Sequence, residues 1–164
     1  MKRARLLCPF KPFPSKSALP PYKTSILRPV ANVRLLNGRA GTGRIDALID
    51  SGCAITMFNS AFAEQLKIDR SACKKHQCSG LWDGGVVATI HKLKLMYRHF
   101  WYETDVLFVD NLPVPGLLGL HGFFDRFRCR IHAGRWVTEL DFLHERREVQ
   151  LLGGQPESPE ILLS

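Results

Sequence analysis

The run Ala47-Leu48-Ile49-Asp50-Ser51-Gly52-Cys53-Ala54-Ile55-Thr56 decides how this chain is read. A carboxylate placed directly after three apolar, β-prone residues sits at the end of a buried strand, where a charge is costly unless hydrogen bonds or chemistry compensate it. Asp50 is therefore the residue to explain. Gly52 permits a tight backbone turn beside it, and Ser51 supplies a hydroxyl able to bond a backbone amide or a neighbouring strand. The bland reading is a turn, since Asp-Ser-Gly is ordinary turn composition. From average usage, an Asp-[Ser/Thr]-Gly triplet arises by chance about 0.07 times in a chain of this length, so the triplet has to be weighed with what surrounds it.

On both sides of this run the pattern is short strands broken by turn residues, with little sustained helical periodicity, which makes the class all-β. Val30 to Leu36 alternates and ends at Asn37-Gly38, a strong turn signal, and Arg44 to Ile49 forms the strand that delivers Asp50. Ile55 to Phe58 is β-prone, and Asn59 or Ser60 caps one or two helical turns through Leu66. Leu81 to Ile90 has the composition of a hairpin tipped by Asp83-Gly84-Gly85. Leu93, Leu95 and Tyr97 alternate with polar neighbours, and Val106 to Val109 is a fully apolar strand. After Pro113-Val114-Pro115 comes Leu117-Leu118-Gly119, then a short helix expected across Phe123 to Phe127. Arg128 to Ile131 and Trp136 to Phe142 finish as a hairpin. Strands and turns recurring at this spacing make a small barrel or sandwich with one or two short helices.

The chain has 164 residues, 45% of them apolar and 23% charged, enough for one core. Its net charge of +8 is placed very unevenly. Residues 1–44 hold ten basic groups and no acid, while the other 120 hold 13 basic groups and 15 acids. The first 29 residues also carry six of the ten prolines, so the reading divides the chain into a basic, proline-rich disordered arm (1–29), a folded domain (30–150) and a flexible tail (151–164). The arm lacks an aromatic-basic platform or a base-reading helix, so nucleic acid is not expected as a partner. No apolar run reaches the length of a membrane helix and no secretory signal opens the chain, which places the protein in the cytoplasm.

Five cysteines, odd in number and scattered, do not form a disulfide framework. Cys73, His76 and Cys78 lie close together but lack the second ligand pair that structural zinc requires. The six histidines form neither a His-Glu-x-x-His pair nor an evident partner for a nucleophilic cysteine. Neither a metal nor an organic cofactor is expected.

The order of strand, Asp50-Ser51-Gly52, glycine-tipped hairpin about 30 residues on, and Leu117-Leu118-Gly119 about 65 residues on resembles the retropepsin-like aspartic proteases, over residues 31 to 142. The resemblance implies a small closed barrel acting as a homodimer, with Asp50 as the catalytic aspartate. Ser51 takes the hydroxyl that locks the active-site loops together, Gly52 offers backbone to substrate, and Thr56 falls where a small hydroxyl residue is common. Leu81 to Val86, with Trp82, Asp83, Gly84, Gly85 and Val86, corresponds to the flap that closes over a bound polypeptide. Leu117, Leu118 and Gly119 brace the catalytic loop. Cys53 replaces a usual alanine and reads as a buried thiol. Ala54 and Leu120 stand where viral members carry an acid and an arginine that form an ion pair, so both partners are absent together. His121 is expected at the surface or as a cap, without a catalytic role. Chain termini build the dimer sheet in this family, which makes residues 28–36 and 136–150 its candidates.

One chain holds one such aspartate, so the implied activity, peptide-bond hydrolysis by two carboxylates sharing a proton, requires two chains. Trp82, Val86 and Val87 imply hydrophobic side chains flanking the cut. The alternative is a catalytically silent barrel of the same type that binds peptide strands or supports assembly. A third reading makes the basic arm a tether to nucleic acid or a membrane surface.

Overall fold

Period-two burial runs through residues 5–14, 25–78 and 86–143, the part of the chain that this computed structural model describes. The strands are β1 (Arg5–Pro9), β2 (Lys11–Pro14), β3 (Ser25–Arg28), β4 (Val30–Asn37), β5 (Ala40–Gly41), β6 (Ile45–Ile49) and β7 (Met57–Asn59). The helix α1 (Ala61–Gln65) follows, then β8 (Lys75–Cys78), β9 (Val86–Tyr97), β10 (Phe100–Val109), β11 (Gly116–Leu118), β12 (Phe127–His132) and β13 (Val137–Phe142). Strands β4, β6, β11, β7, β10 and β9 pair in that order, and β4 pairs with β9 to close a six-stranded barrel. Closure removes the sheet edges that a small open sheet would leave exposed.

The barrel interior is filled by the inward half of each alternating strand: Val33 and Leu35, Ala47, Phe58, Leu95, Phe108 and Leu118 are all buried. Asn37-Gly38 makes the expected turn between β4 and β5, with Gly38 at a φ of 56°, a left-handed conformation that glycine adopts at little cost. The α1 segment stays at five residues; Asn59 Oδ1 accepts the Ala61 amide at 3.0 Å, and Leu66 behind it is fully buried. Beyond it, Arg70 reaches Asp110 through two bonds of 2.6 and 3.0 Å and Thr89 through a third, tying this loop to β9. Hydrogen bonds from Arg70, then from Ser60, hold the Asp110 carboxyl below its ordinary value. Any stability the pair contributes is present above the unfolded carboxylate value and lost as pH falls through the lowered one. Asp110→Asn is therefore expected to cost at most about 1 kcal/mol at pH 7, and denaturant titration at pH 2 should find variant and parent alike.

Two regions differ from the sequence reading. The helix expected across Phe123 to Phe127 is a series of turns, with Phe124 and Asp125 amides bonded back to Gly119 and Leu120 carbonyls. Gly122 at a φ of 95°, its amide bonded to Asp125 Oδ1, breaks the helical path before it can start. The second departure is the arm. Residues 5–9 form β1 against β13, with Leu6 and Cys8 facing the core and Leu6 opposite Leu140, and residues 11–14 pair with 25–28. Proline is tolerated there because Pro12 and Pro14, two apart, turn their missing donors to the same side of β2 and leave Lys11 and Phe13 for the ladder. Residues 1–4, 15–24 and the proposed tail at 151–164 lie outside the described residues.

The three-stranded sheet β1-β13-β12 packs on the barrel through an aromatic cluster of Tyr97, Phe100, Tyr102, Phe123, Phe127 and Phe142, with several rings edge-on or stacked. These pairings bear on the expected dimer strands: β4 pairs with β6 and β9 inside the barrel, and β13 lies between β1 and β12. Val33 is paired on both sides, residues 30–32 pair with β6 alone, and residues 144–150 fall outside the described chain. Among the described residues, no helix is long and apolar enough to cross a membrane.

Candidate active site

Strand β6 ends at Ile49, and the chain turns at once through Asp50-Ser51-Gly52. Two contacts set the position of Asp50. Its amide donates to the Leu118 carbonyl at 3.1 Å, anchoring the backbone to β11, and its Oδ1 accepts the Gly52 amide at 2.9 Å, closing an Asx turn. The Cys53 amide then returns to the Asp50 carbonyl at 3.2 Å. Asp50 is half-buried, and among the described residues no cation pairs with it. The carboxylate is thus held by backbone alone, with its second oxygen left available.

The segment carrying Leu117-Leu118-Gly119 crosses directly beneath this turn. Leu117 and Leu118 pair in parallel with Leu48 and Ile49, and beyond them the Leu120 and His121 amides donate to the Cys53 and Ala54 carbonyls at 2.8 and 2.9 Å. In return the Thr56 amide donates to the His121 carbonyl at 2.9 Å. Thr56 is completely buried, and its hydroxyl oxygen accepts the Gly119 amide at 3.0 Å, so one side chain fastens the two loops inside a single chain. Gly119 is required by space: a Cβ there would lie 2.6 Å from the Cys53 carbonyl oxygen and 2.8 Å from the Ile55 carbonyl carbon.

Most site residues named from the sequence fall among the described residues. Asp50, Gly52, Thr56, Leu118 and Gly119 converge on the crossing just described. Ser51 is exposed and its hydroxyl meets no partner among the described residues. Leu117 is half-buried against the smaller apolar cluster formed around Met57, Leu107 and Leu112. Cys53 is buried, with its thiol on the Ile55 carbonyl at 3.0 Å, in keeping with a structural thiol. Burial pushes the Cys8 and Cys129 thiols up as well, Cys129 to about 12, so neither is a ready nucleophile. Ala54 and Leu120 sit on adjoining segments and are both exposed, Leu120 by 51%. His121 is exposed too, its ring between Asp105 at 3.9 Å and Asp125 at 3.3 Å. Trp82, Asp83, Gly84 and Gly85 lie outside the described residues; on either side of them β8 and β9 pair antiparallel, Cys78 opposite Val86 and Lys75 opposite Thr89.

Sequence reasoning missed Tyr102 and Asp125, which hold the segment after Gly119: the Tyr102 hydroxyl donates to the Gly122 carbonyl at 2.8 Å and Asp125 accepts the Gly122 amide at 3.1 Å. The available signal was Gly122 itself, a glycine between two side-chain-rich stretches where a helix was expected. Among the described residues no group of three or more His, Cys, Asp or Glu side chains could hold a metal ion.

Thr56→Val is expected to leave the shape unchanged but strip the buried Gly119 amide of its acceptor, at about 1–3 kcal/mol. Denaturant unfolding of Thr56→Val beside Thr56→Ser checks this, because serine restores the acceptor and should recover most of the loss.

No protein-family profile and no curated protein matches this chain. Solved structures do. A retropepsin-like aspartic protease from Rickettsia conorii aligns over 85% of this chain and 91% of its own length, at 15% identity and a TM-score of 0.59. The EIAV protease in complex with an inhibitor aligns over 62% of this chain and 86% of its own, at 21% identity and a TM-score of 0.42. The retroviral protease-like domain of Ddi1 from Leishmania major aligns over 72% and 95%, at 13% identity and a TM-score of 0.47. The chain has the retropepsin-like aspartic protease fold.

Proposed function

We propose that this protein is an aspartic endopeptidase whose active site forms when two chains bring their Asp50 carboxylates together. The observation that carries this reading is the setting of Asp50: a carboxylate at the end of a buried strand, oriented by the Asp50 and Gly52 amides, with no cation among the described residues to neutralise it. A structural aspartate in such a place is normally paired, whereas one that must share a proton with its twin has to stay unpaired. In the dyad, one carboxylate is ionised and takes a proton from water while the other, protonated, donates to the scissile carbonyl; the tetrahedral intermediate then collapses with proton transfer to the leaving amine. Gly52 offers backbone to the substrate, Ser51 is free to reach the second chain's loop, and the β8–β9 hairpin, with Trp82 to Val86 at its end, closes over an extended polypeptide.

The dimer contact differs from the ion-paired viral arrangement. Exposed Ala54 and Leu120 adjoin the Asp50 turn and supply apolar surface where the acid and arginine are missing, an exchange that burial energetics permit.

The purified chain tests the proposal by its mass in solution and by cleavage of denatured protein between about pH 4 and pH 7, with and without pepstatin. Pepstatin-sensitive cleavage by a dimer is expected. A dimer that binds peptides without cutting them is the silent binding module instead, and a monomer that cleaves removes the dyad.

A further inference from the structure

Ten basic groups precede the first acid in the sequence, and several of those in the described residues gather on one face of the barrel. Strands β1 and β2 bring one of them, Lys11, over the outer face of β6-β4-β9, where Arg34, Arg44 and Arg98 already project. Together they line a cavity of ≈ 440 Å³, with Asn32 and Tyr97 among its other walls. None of the lining residues belongs to the Asp50 turn or to the segment crossing beneath it.

The charges here are arranged against their own stability. Val33 faces Ile45 in the last pair of the β4–β6 ladder, and Arg34 and Arg44, the residues just beyond that pair, both line the cavity. Like charges gathered in one concavity repel one another. A carboxylate between them would relieve the repulsion, but Asp46, two residues along from Arg44, pairs with Lys11 instead: its Oδ1 accepts both Lys11 Nζ and Asn32 Nδ2 at 2.8 Å. Among the described residues no carboxylate pairs with Arg34, Arg44 or Arg98. Two of these guanidinium groups are nevertheless oriented, Arg34 through its Nε on the Thr42 carbonyl at 3.1 Å and Arg98 through Nη2 on the Leu7 carbonyl at 2.8 Å. Each keeps further N–H donors to offer.

Oriented, unpaired guanidinium groups in one concavity are a receptor for a planar or tetrahedral oxyanion, and phosphate fits their paired donors well. The cavity volume lies in the range of about 300–1,000 Å³ typical of small-molecule sites. We propose that this face of the barrel binds a small phosphate-bearing ligand of mononucleotide size, its phosphate between Arg34 and Arg44 and within reach of Arg98.

The test is binding by the full chain, followed by calorimetry and by melting temperature, with inorganic phosphate, pyrophosphate, AMP and a single-stranded oligonucleotide as separate probes against chloride at matched ionic strength. Pyrophosphate or AMP is expected to raise the melting temperature by about 5 °C at roughly a hundred times its dissociation constant. Arg44→Glu, at an exposed position with no partner to lose among the described residues, should keep the fold and weaken binding at least about tenfold, and Arg34→Ala should do likewise. Lys67→Glu, exposed on the loop after α1 and not part of the cavity lining, should change nothing. Inorganic phosphate alone matching AMP would still place a phosphate site here and assign the ligand's remainder no contacts. Stabilisation no greater than with chloride, stabilisation retained in Arg44→Glu, or binding to the oligonucleotide alone would each overturn the proposal.

Discussion

Asp50→Asn is expected to abolish cleavage, by about 10³-fold or more, while leaving the fold intact. The two effects separate because the amide is nearly the size of the carboxylate, and its oxygen can still accept the Gly52 amide that Asp50 Oδ1 accepts at 2.9 Å. What the amide cannot do is ionise, so a dyad containing it has no base for water. Mixing sharpens the result. If each active site needs an Asp50 from both chains, a ninefold excess of variant leaves a wild-type chain a wild-type partner about one time in ten, and activity per wild-type chain should fall to about a tenth. Activity unaffected by the excess, in a preparation where subunit exchange is demonstrated, means that single chains cleave alone. Cleavage surviving in pure Asp50→Asn assigns the chemistry to other residues.

How far such a site can be read from sequence depends on whether its signals are local. Asp50 was legible because its cost is local: three apolar residues place its charge at the end of a buried strand, where it calls for an explanation. The barrel strands were legible for a similar reason, since Val33 and Leu35, or Leu93 and Leu95, alternate within a few residues of one another and all prove buried. The first strand was not. Arg5 pairs with Asp141, and only that distant partner converts Leu6 and Cys8 from two apolar residues among prolines into half of a buried face. Without it, lack of acids and abundance of proline dominate the composition and describe an arm. The missing helix after Gly119 failed for the opposite reason: Phe123 and Phe127 have helical spacing, but tertiary demands on Gly122 and the aromatic cluster override that propensity. Trp82 to Gly85, expected from the sequence at the tip of a flap, lie outside the described residues.

Gly119→Ala is expected to lower both stability and cleavage, and it distinguishes bracing of the Asp50 turn from ordinary packing. A Cβ at Gly119 would stand 2.6 Å from the Cys53 carbonyl oxygen, 2.8 Å from the Ile55 carbonyl carbon and 3.0 Å from its oxygen. All three are backbone atoms, so no rotamer relieves the contact and the turn itself must move. Overpacking of this kind costs about 1–3 kcal/mol, and the Thr56 hydroxyl, 3.0 Å from the Gly119 amide, gives up its bond in the same displacement. A melting temperature lower by about 8 °C follows from a loss of about 3 kcal/mol in a domain of this size. Gly116→Ala supplies the comparison. There the nearest atoms are the Phe58 ring carbons at 2.5 and 2.7 Å and the Met57 carbonyl oxygen at 3.2 Å; the buried ring has to be displaced, but the Asp50 turn is not among the contacts. Gly116→Ala should therefore lose stability but keep its rate per folded molecule, whereas Gly119→Ala should lose both, since a displacement of about 1 Å in a catalytic group costs on the order of a hundredfold. Gly134→Ala, with nothing within 4 Å, should match the parent in each measurement. If Gly119→Ala melts and cleaves like Gly134→Ala, the crossing beneath Asp50 does not hold the catalytic turn.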